Sequence, residues 1–248
     1  MKVLITRAKE QSKEFANQLI TLHHEPIFFP TIEIAEPNSW DETDNAIRQI
    51  ENYTDLIFTS TNGVEFFFKR FEKYFPLQKL SGKTFHVVGN KTQEIISNYG
   101  FAVSTLPEKF DSKELAKKII TESNGIDKNF LFPHGNLTDS TIENTFGENN
   151  MRLDSIIVYQ TVKTTVNESM KKEIQFQFLH NLIGIITFFS PSSVKYFLEE
   201  FPTTIHNTKI TIAVIGETTK RACVKNGFSS NQIQFIENIF QQSLNSIQ

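Results

Sequence analysis

DLIFTSTNGVEFF, residues 55–67, and GIITFFSPSSVKYF, residues 184–197, are two copies of one signature. Each is a β-rich apolar run that ends in Ser and small polar residues and passes into a helix-like segment. TFHVVGNKTQEIISNYG (84–100) follows the first copy and ITIAVIGETTKRACVKNG (210–227) the second. Each of these is another β run, a Gly-x-x-Thr end, and a helix closing on Gly. Strands alternating with helices imply parallel sheets, because a parallel crossover needs the helix. The fold class expected is therefore α/β. Strand ends are where open α/β sheets bind ligands, so two similar sets of polar strand ends come with the repeat.

Working outward, KVLITR (2–7) opens the chain as a strand and AKEQSKEFANQLITLH follows as a helix. PIFFPTIEI (26–34) is the next strand, making a βαβ beginning. NFLFPHG (129–135) matches KVLITRA, and SIIVYQTV (155–162) matches PIFFPTIEI, so the beginning repeats as well. AEPNSWDET (35–43) and KTTVNESMKK (163–172) are polar breaks. They bracket four strong strands, at 55–60, 84–89, 129–133 and 155–160. Four more remain outside, at 2–6, 27–32, 185–189 and 210–215. Weaker strands near 102–106 and 233–236 would bring each sheet to five. The expected organisation is two similar parallel-sheet domains facing a cleft. The first is discontinuous, 1–34 plus 173–248; the second is 41–162; residues 35–40 and 163–172 are the linkers. Contiguous halves, 1–125 and 126–248, are the competing division.

Composition narrows the function classes. Twenty-five basic and 28 acidic side chains leave a net charge of −3, with no basic block. Duplex nucleic acid is a poor partner for such a chain. No run reaches the roughly 18 apolar residues of a membrane span, and the start lacks a signal-peptide pattern. A cytoplasmic protein with no membrane partner is expected. Cys223 is the sole cysteine; it has no partner for a disulfide or a metal cluster, and reads as a buried thiol on a helix. The histidines lack metal-ligand spacing. GNKT and GETT lack the long loop and Gly-Lys-Ser/Thr ending of a phosphate loop, and no Gly-x-Gly-x-x-Gly follows the first strand. No metal and no cofactor are expected.

The chemistry-bearing candidates sit at strand ends. Ser60 and Asn62 end one strand, and Ser190 and Ser193 end its counterpart. A small polar residue there can cap a helix, or leave backbone N–H groups to a carboxylate. Gly89 and Thr92, with Gly216, Thr218 and Thr219 in the second copy, form the next pair. Arg7 closes the first strand with a fork suited to a carboxylate or to an ion pair. His134 closes the corresponding strand of the second half. Tyr159 ends SIIVY just before the second linker; it reads either as a packed aromatic or as a hydroxyl facing the cleft. A phenol near neutrality is a hydrogen-bond donor and a weak general acid.

Taken in order, KVLITRAKEQ (2–11), FFPTIEI (28–34), DLIFTSTNGVEFF (55–67), FHVVGNKTQEIISNYGF (85–101), LDSIIVYQT (153–161), ITFFSPSSVKYF (186–197) and IAVIGETTKRACVKNGF (212–228) resemble the uroporphyrinogen-III synthase family. The resemblance implies two α/β domains joined by a two-stranded connection. It implies a cofactor-independent lyase of porphyrin, tetrapyrrole and haem biosynthesis. Such an enzyme closes linear hydroxymethylbilane, a polycarboxylate, with inversion of ring D and loss of water. It also implies that Tyr159 assists departure of the ring-A hydroxyl. Ser60, Thr92, Thr218, Thr219, Ser190 and Ser193 match polar substrate positions, Gly89 and Gly216 bring backbone to substrate carboxylates, and Arg7 is a basic position. A monomer that meets hydroxymethylbilane synthase transiently is the expected state. His134-Gly135 departs from the Arg-Gly frequent in the family, which leaves the positive charge there in question. Two other classes compete: a non-enzymatic two-domain binder of small anions, and a sugar- or nucleotide-transferring enzyme. The missing DNA-binding element and signal peptide weigh against the first, and the missing diphosphate loop against the second.

Overall fold

The computed structural model describes residues 1–107, 111–123, 128–203 and 209–245. The strands are β1 (Lys2–Ile5), β2 (Glu25–Phe28), β3 (Ile32–Ala35), β4 (Asp55–Phe58), β5 (Thr84–Val87), β6 (Val103–Thr105), β7 (Asn129–Gly135), β8 (Arg152–Lys163), β9 (Ile183–Phe188), β10 (Thr211–Val214) and β11 (Ile233–Phe235). The helices are α1 (Lys13–Thr21), α2 (Asp41–Arg48), α3 (Thr61–Phe71), α4 (Asn90–Asn98), α5 (Ser112–Glu122), α6 (Thr141–Glu148), α7 (Glu168–Leu179), α8 (Pro191–Glu200), α9 (Glu217–Lys225) and α10 (Ile236–Asn245). One sheet runs β11-β10-β9-β1-β2, and the other β3-β8-β7-β4-β5-β6. All four pairings of the first sheet are parallel, as are β4–β5, β4–β7, β5–β6 and β7–β8 of the second.

The chain divides into two compact units, Met1–Glu33 with Val162–Gln248, and Ile34–Thr161. Each sheet joins the opening strands of one sequence half to the closing strands of the other: β1 and β2 with β9 to β11, and β7 and β8 with β4 to β6. That exchange is why the sequence repeat and the compact units have different boundaries.

Each sheet is buried on both faces, as parallel sheets require. In the first unit, Leu4, Ile186, Phe188 and Val214 pack with Val194 and Phe197 of α8 and Cys223 of α9. Val3, Ile5, Ile185 and Ala213 point the other way, toward Ala16 and Leu19 of α1 and Phe240 of α10. This alternation is the period-two geometry of a strand. In the second unit, Phe58 and Phe85 pack with Phe67, Phe68 and Phe71 of α3. Ile57, Phe130 and Phe132 pack with Leu115 and Ile119 of α5 and Phe146 of α6. Burial pushes the Cys223 thiol up to about 12, so it stays a protonated core group.

Two sequence expectations change. PIFFPTIEI is not one strand: β2 ends at Phe28, β3 starts at Ile32, and the two lie in different sheets. Pro30 sits in the break, where its missing N–H costs no ladder bond. The second polar break is shorter than residues 163–172, because Lys163 ends β8 and Asn167 caps α7, its side chain accepting from Ser169 and Met170 N–H. Asn62 and Gly63 lie in the first turn of α3. A Cβ at Gly63 would lie 3.1 Å from the Pro133 carbonyl oxygen, a tight contact that favours glycine there. Among the described residues, no helix is long and apolar enough to cross a membrane.

A buried ionic group opens β4. The Asp55 side chain is 1 % exposed, and its Oδ1 accepts from His86 Nε2 at 2.8 Å and Lys128 Nζ at 2.9 Å. Burial alone would raise this carboxyl, but hydrogen bonds from His86, Thr54 and Lys128 outweigh it and hold it below the usual carboxylate range. A carboxyl with a lower pKa folded than unfolded stabilises the fold above its unfolded value, and loses that contribution as pH falls through the folded one. Denaturant midpoints should therefore drop as pH falls below about 4. Asp55→Asn should lower the midpoint at neutral pH and flatten that acid limb; an unchanged acid limb would show that other carboxylates carry it.

Candidate active site

In the first sheet the strand order reverses between β1 and β9, and in the second between β4 and β7. The carboxyl ends of strands beside such a reversal form the natural ligand crevice of an open α/β sheet. Arg7 and Ser190 follow β1 and β9; Ser60 follows β4, and His134 and Gly135 end β7. Most sequence candidates thus fall at the reversals, with Gly89, Thr92, Gly216, Thr218 and Thr219 one strand further out; Tyr159, expected to end its strand, instead lies inside β8, whose pairing runs on to Lys163.

The two signature copies use serine as a helix cap. Ser60 has extended backbone, and its Oγ accepts from Gly63 N–H at 3.0 Å at the start of α3. Ser190 does the same for α8, accepting from Ser193 N–H at 3.2 Å. Ser193 completes a capping box: its Oγ accepts from Ser190 N–H at 3.3 Å and also donates to the Ser190 carbonyl at 2.7 Å, the residue being 1 % exposed. Its hydroxyl serves the cap. Asn62 lies half-buried in the first turn of α3.

The next pair of helices starts differently. Gly89 caps α4 and Gly216 caps α9, both with extended backbone and no side-chain cap. A Cβ at either glycine would meet nothing within 4 Å, so the fold itself does not demand glycine there. Thr92 and Thr219 occupy the same third position of their helices and are 5 % and 3 % exposed, whereas Thr218 is exposed. The first-turn N–H groups of α4 and α9 thus lack the side-chain acceptors that α3 and α8 have, and a positive partial charge gathers at such ends. Arg7 is half-buried; its Nε donates to Gln11 Oε1 at 3.0 Å and its guanidinium lies 5.5 Å from the Phe189 ring centre. Burial lowers its pKa, yet a guanidinium remains cationic.

Tyr159 and Ser60 come together. Their hydroxyl oxygens lie 3.1 Å apart. The tyrosine is 9 % exposed and joins the core beside α3, its ring 5.8 Å from that of Phe66. Gly135 is its register partner on β7. A Cβ at Gly135 would fall 2.6 Å from Tyr159 Cε2 and 2.7 Å from its hydroxyl oxygen, so this glycine makes the seat for the ring. The ring is core and the hydroxyl is bonded to that of Ser60. Burial raises the phenol, and the Ser60 hydrogen bond opposes this less strongly, leaving its pKa above the ordinary range. It is a protonated donor at neutral pH. The two hydroxyls hold two hydrogens and use one between them. The other is free for a third group, from whichever oxygen does not donate.

Sequence reading passed over Ser155 and Glu143. They line up behind the His134 side chain, Ser155 Oγ lying 2.8 Å from Nε2 and donating to Glu143 Oε1 at 2.9 Å. His134-Gly135 was visible as a strand end, but the strand opposite it was not. Among the described residues, no group of three or more His, Cys, Asp or Glu is placed to hold a metal.

The family model described as Uroporphyrinogen-III synthase HemD matches residues 13–234. The chain belongs to the uroporphyrinogen-III synthase family. Among curated relatives, the uroporphyrinogen-III synthase of Chlorobaculum parvum is 28 % identical over 91 % of this chain and 89 % of its own. The porphyrin biosynthesis protein HemD of Ruminiclostridium josui is 28 % identical over 90 % of this chain and 44 % of its own length. Among solved structures, a mutant uroporphyrinogen III synthase of Thermus thermophilus matches with a TM-score of 0.69 at 14 % identity, covering 99 % of both chains. The uroporphyrinogen-III synthetase of Helicobacter pylori matches at 0.64 and 18 %, covering 100 % of this chain and 99 % of that one. The synthase family therefore has this two-unit α/β fold in common with the chain.

Proposed function

We propose that the protein catalyses closure of hydroxymethylbilane to uroporphyrinogen III, with inversion of ring D and release of one water. The family match over residues 13–234 carries this reading. The reaction asks little of the protein in reactive groups. The electron-rich pyrrole expels the hydroxyl, which leaves as water once it gains a proton, and an azafulvene-like cation remains. The substituted carbon of ring D attacks it, a spiro intermediate fragments, and the ring recloses inverted. Unaided closure gives the uninverted isomer, so control of geometry is the main task.

The Tyr159–Ser60 pair supplies a suitable group for the first step. A phenol held above its ordinary range is a donor rather than a base. It hydrogen-bonds or protonates the departing hydroxyl, and Ser60 holds it in place. In this reading the uncapped starts of α4 and α9, with Arg7, meet substrate carboxylates. Thr92, Thr218 and Thr219 stand on those first turns, Asn62 on that of α3, and Ser190 and Ser193 shape the α8 terminus. A cytoplasmic enzyme that acts as a monomer and receives its self-closing substrate from hydroxymethylbilane synthase accords with the same reading. The folded protein incubated with hydroxymethylbilane should yield the inverted isomer on chromatographic isomer analysis. Only the uninverted isomer, at the rate seen without protein, would reject the assignment.

A further inference from the structure

The residue after β7 has no part in the proposed chemistry, yet it grips β8 twice. Asn136 N–H donates to the Tyr159 carbonyl at 3.2 Å. Its side-chain Oδ1 accepts from Thr161 N–H at 2.8 Å, and its Nδ2 lies 3.5 Å from the Thr161 carbonyl oxygen. A backbone N–H only donates, so the short contact settles which end of the carboxamide is the oxygen. A carboxamide carries the donor and acceptor of a peptide unit, and here it stands in for one. The main chain of β7 has already turned away, with Thr138 N–H donating back to the Gly135 carbonyl at 3.1 Å. Bonds in a parallel ladder are evenly spaced along the strand. The rung after Tyr159 therefore falls at Thr161, and the Asn136 side chain supplies it.

That rung sits at a sensitive place. On the β7 side, Tyr159 is the last residue of β8 in register, opposite Gly135 and just past the shift at His134. The compact unit itself ends at Thr161. The last rung of a ladder opens most easily, because no further bond holds one side of it. The phenol carried by that rung has its oxygen 3.1 Å from Ser60 Oγ. Packing against Gly135 and Phe66 locates the ring, whereas hydrogen bonds locate the backbone beneath it. The two bonds from Asn136 fall on either side of Gln160, at the Tyr159 carbonyl and at Thr161 N–H. Another carboxamide holds the opposite edge of β8: Gln160 Nε2 donates to the Glu36 carbonyl at 2.8 Å and to Asn38 Oδ1 at 3.0 Å. Asn136 is exposed, so its hydrogen bonds, not burial, are what it contributes.

We propose that Asn136 is a positioning residue: its carboxamide extends the β7–β8 ladder by one rung past Tyr159 and so holds the phenol hydroxyl at Ser60. It acts through the backbone of β8, not on the substrate. Its effect on turnover rests on the reading of Tyr159 as the acid.

Asn136→Ala removes the added rung and keeps the main-chain bond to Tyr159. Thr161 N–H should then exchange with solvent about tenfold faster. The kcat should fall about tenfold with KM within about twofold, as a shifted catalytic group requires. Asn136→Asp keeps an oxygen for Thr161 N–H, so it should retain the slow exchange and hold kcat within about threefold of wild type. In a Tyr159→Phe background, Asn136→Ala should change kcat by less than about twofold, because the hydroxyl it positions is gone. A substrate-free readout is the ¹³C signal of the hydroxyl-bearing tyrosine ring carbon, that of Tyr159 being the one missing from Tyr159→Phe. It should shift or broaden in Asn136→Ala and hold in Asn136→Asp. An unmoved Tyr159 signal or unchanged Thr161 exchange in Asn136→Ala overturns the proposal, as does an equal kcat loss in the wild-type and Tyr159→Phe backgrounds. The exchange and carbon spectra need no turnover, so both effects in a protein without synthase activity would reject the synthase reading and leave the positioning of the hydroxyl standing.

Discussion

Tyr159→Phe should lower turnover by about 10²-fold or more, while the fold loses only about 1 kcal/mol. The substitution keeps the ring against Gly135 and Phe66 and removes the oxygen 3.1 Å from Ser60. Ser60 remains bonded to Gly63 N–H, so the start of α3 keeps its cap. General acid assistance typically contributes roughly 10²–10⁴-fold. The lower end is expected because the substrate pyrrole already pushes the hydroxyl out. Single-turnover rates with hydroxymethylbilane, read beside a urea melt, check both parts. A Phe variant with wild-type turnover and the same isomer product would remove Tyr159 as the essential acid and leave the family membership untouched.

Gly135→Ala carries the second large effect. Its φ is not positive, so the backbone tolerates alanine. The obstacle is the ring, which the new methyl would overlap. Overpacking of this kind costs about 1–3 kcal/mol, and displacing the ring also carries the hydroxyl away from Ser60. Turnover should fall at least as far as in Tyr159→Phe. The two sites touch, so their effects should not add. In a Tyr159→Ala background the methyl has room, and Gly135→Ala should change stability by less than about 0.5 kcal/mol. Equal costs in both backgrounds would mean that the strain lies in β7 itself.

The α/β class and the strand-end placement of the candidates were legible because parallel-sheet strands are continuous apolar runs with polar ends. DLIF and GIITF each stop at a serine that caps the next helix, and the small residues there mark the place. Partnership was not legible. Ser60 and Tyr159 are 99 residues apart, and they meet through the order β8-β7-β4, which no single segment encodes. The same gap hid Ser155 behind His134. Ser193 looked like Ser190 in sequence, yet one turn of helix puts its hydroxyl inside the cap. Pro30 was visible inside PIFFPTIEI, but its consequence, one segment serving two sheets, depends on where each half finds its neighbours.

That exchange of strands sets an order of assembly during synthesis. The sheet of the unit Ile34–Thr161 takes its strands from one continuous stretch, β3 to β8, so it can close once that stretch has left the ribosome. The other unit cannot. Thr6, at the end of β1, donates to a carbonyl 181 residues downstream, and β1 has only β2 beside it until β9 is made. Through most of translation, Val3, Leu4, Ile5 and Phe29 are without the partners that bury them. Late long-range pairing is slow and leaves apolar edges open to other chains. The β1–β2 segment is therefore expected to stay aggregation-prone until β9 emerges, and slowing elongation would lengthen its exposure.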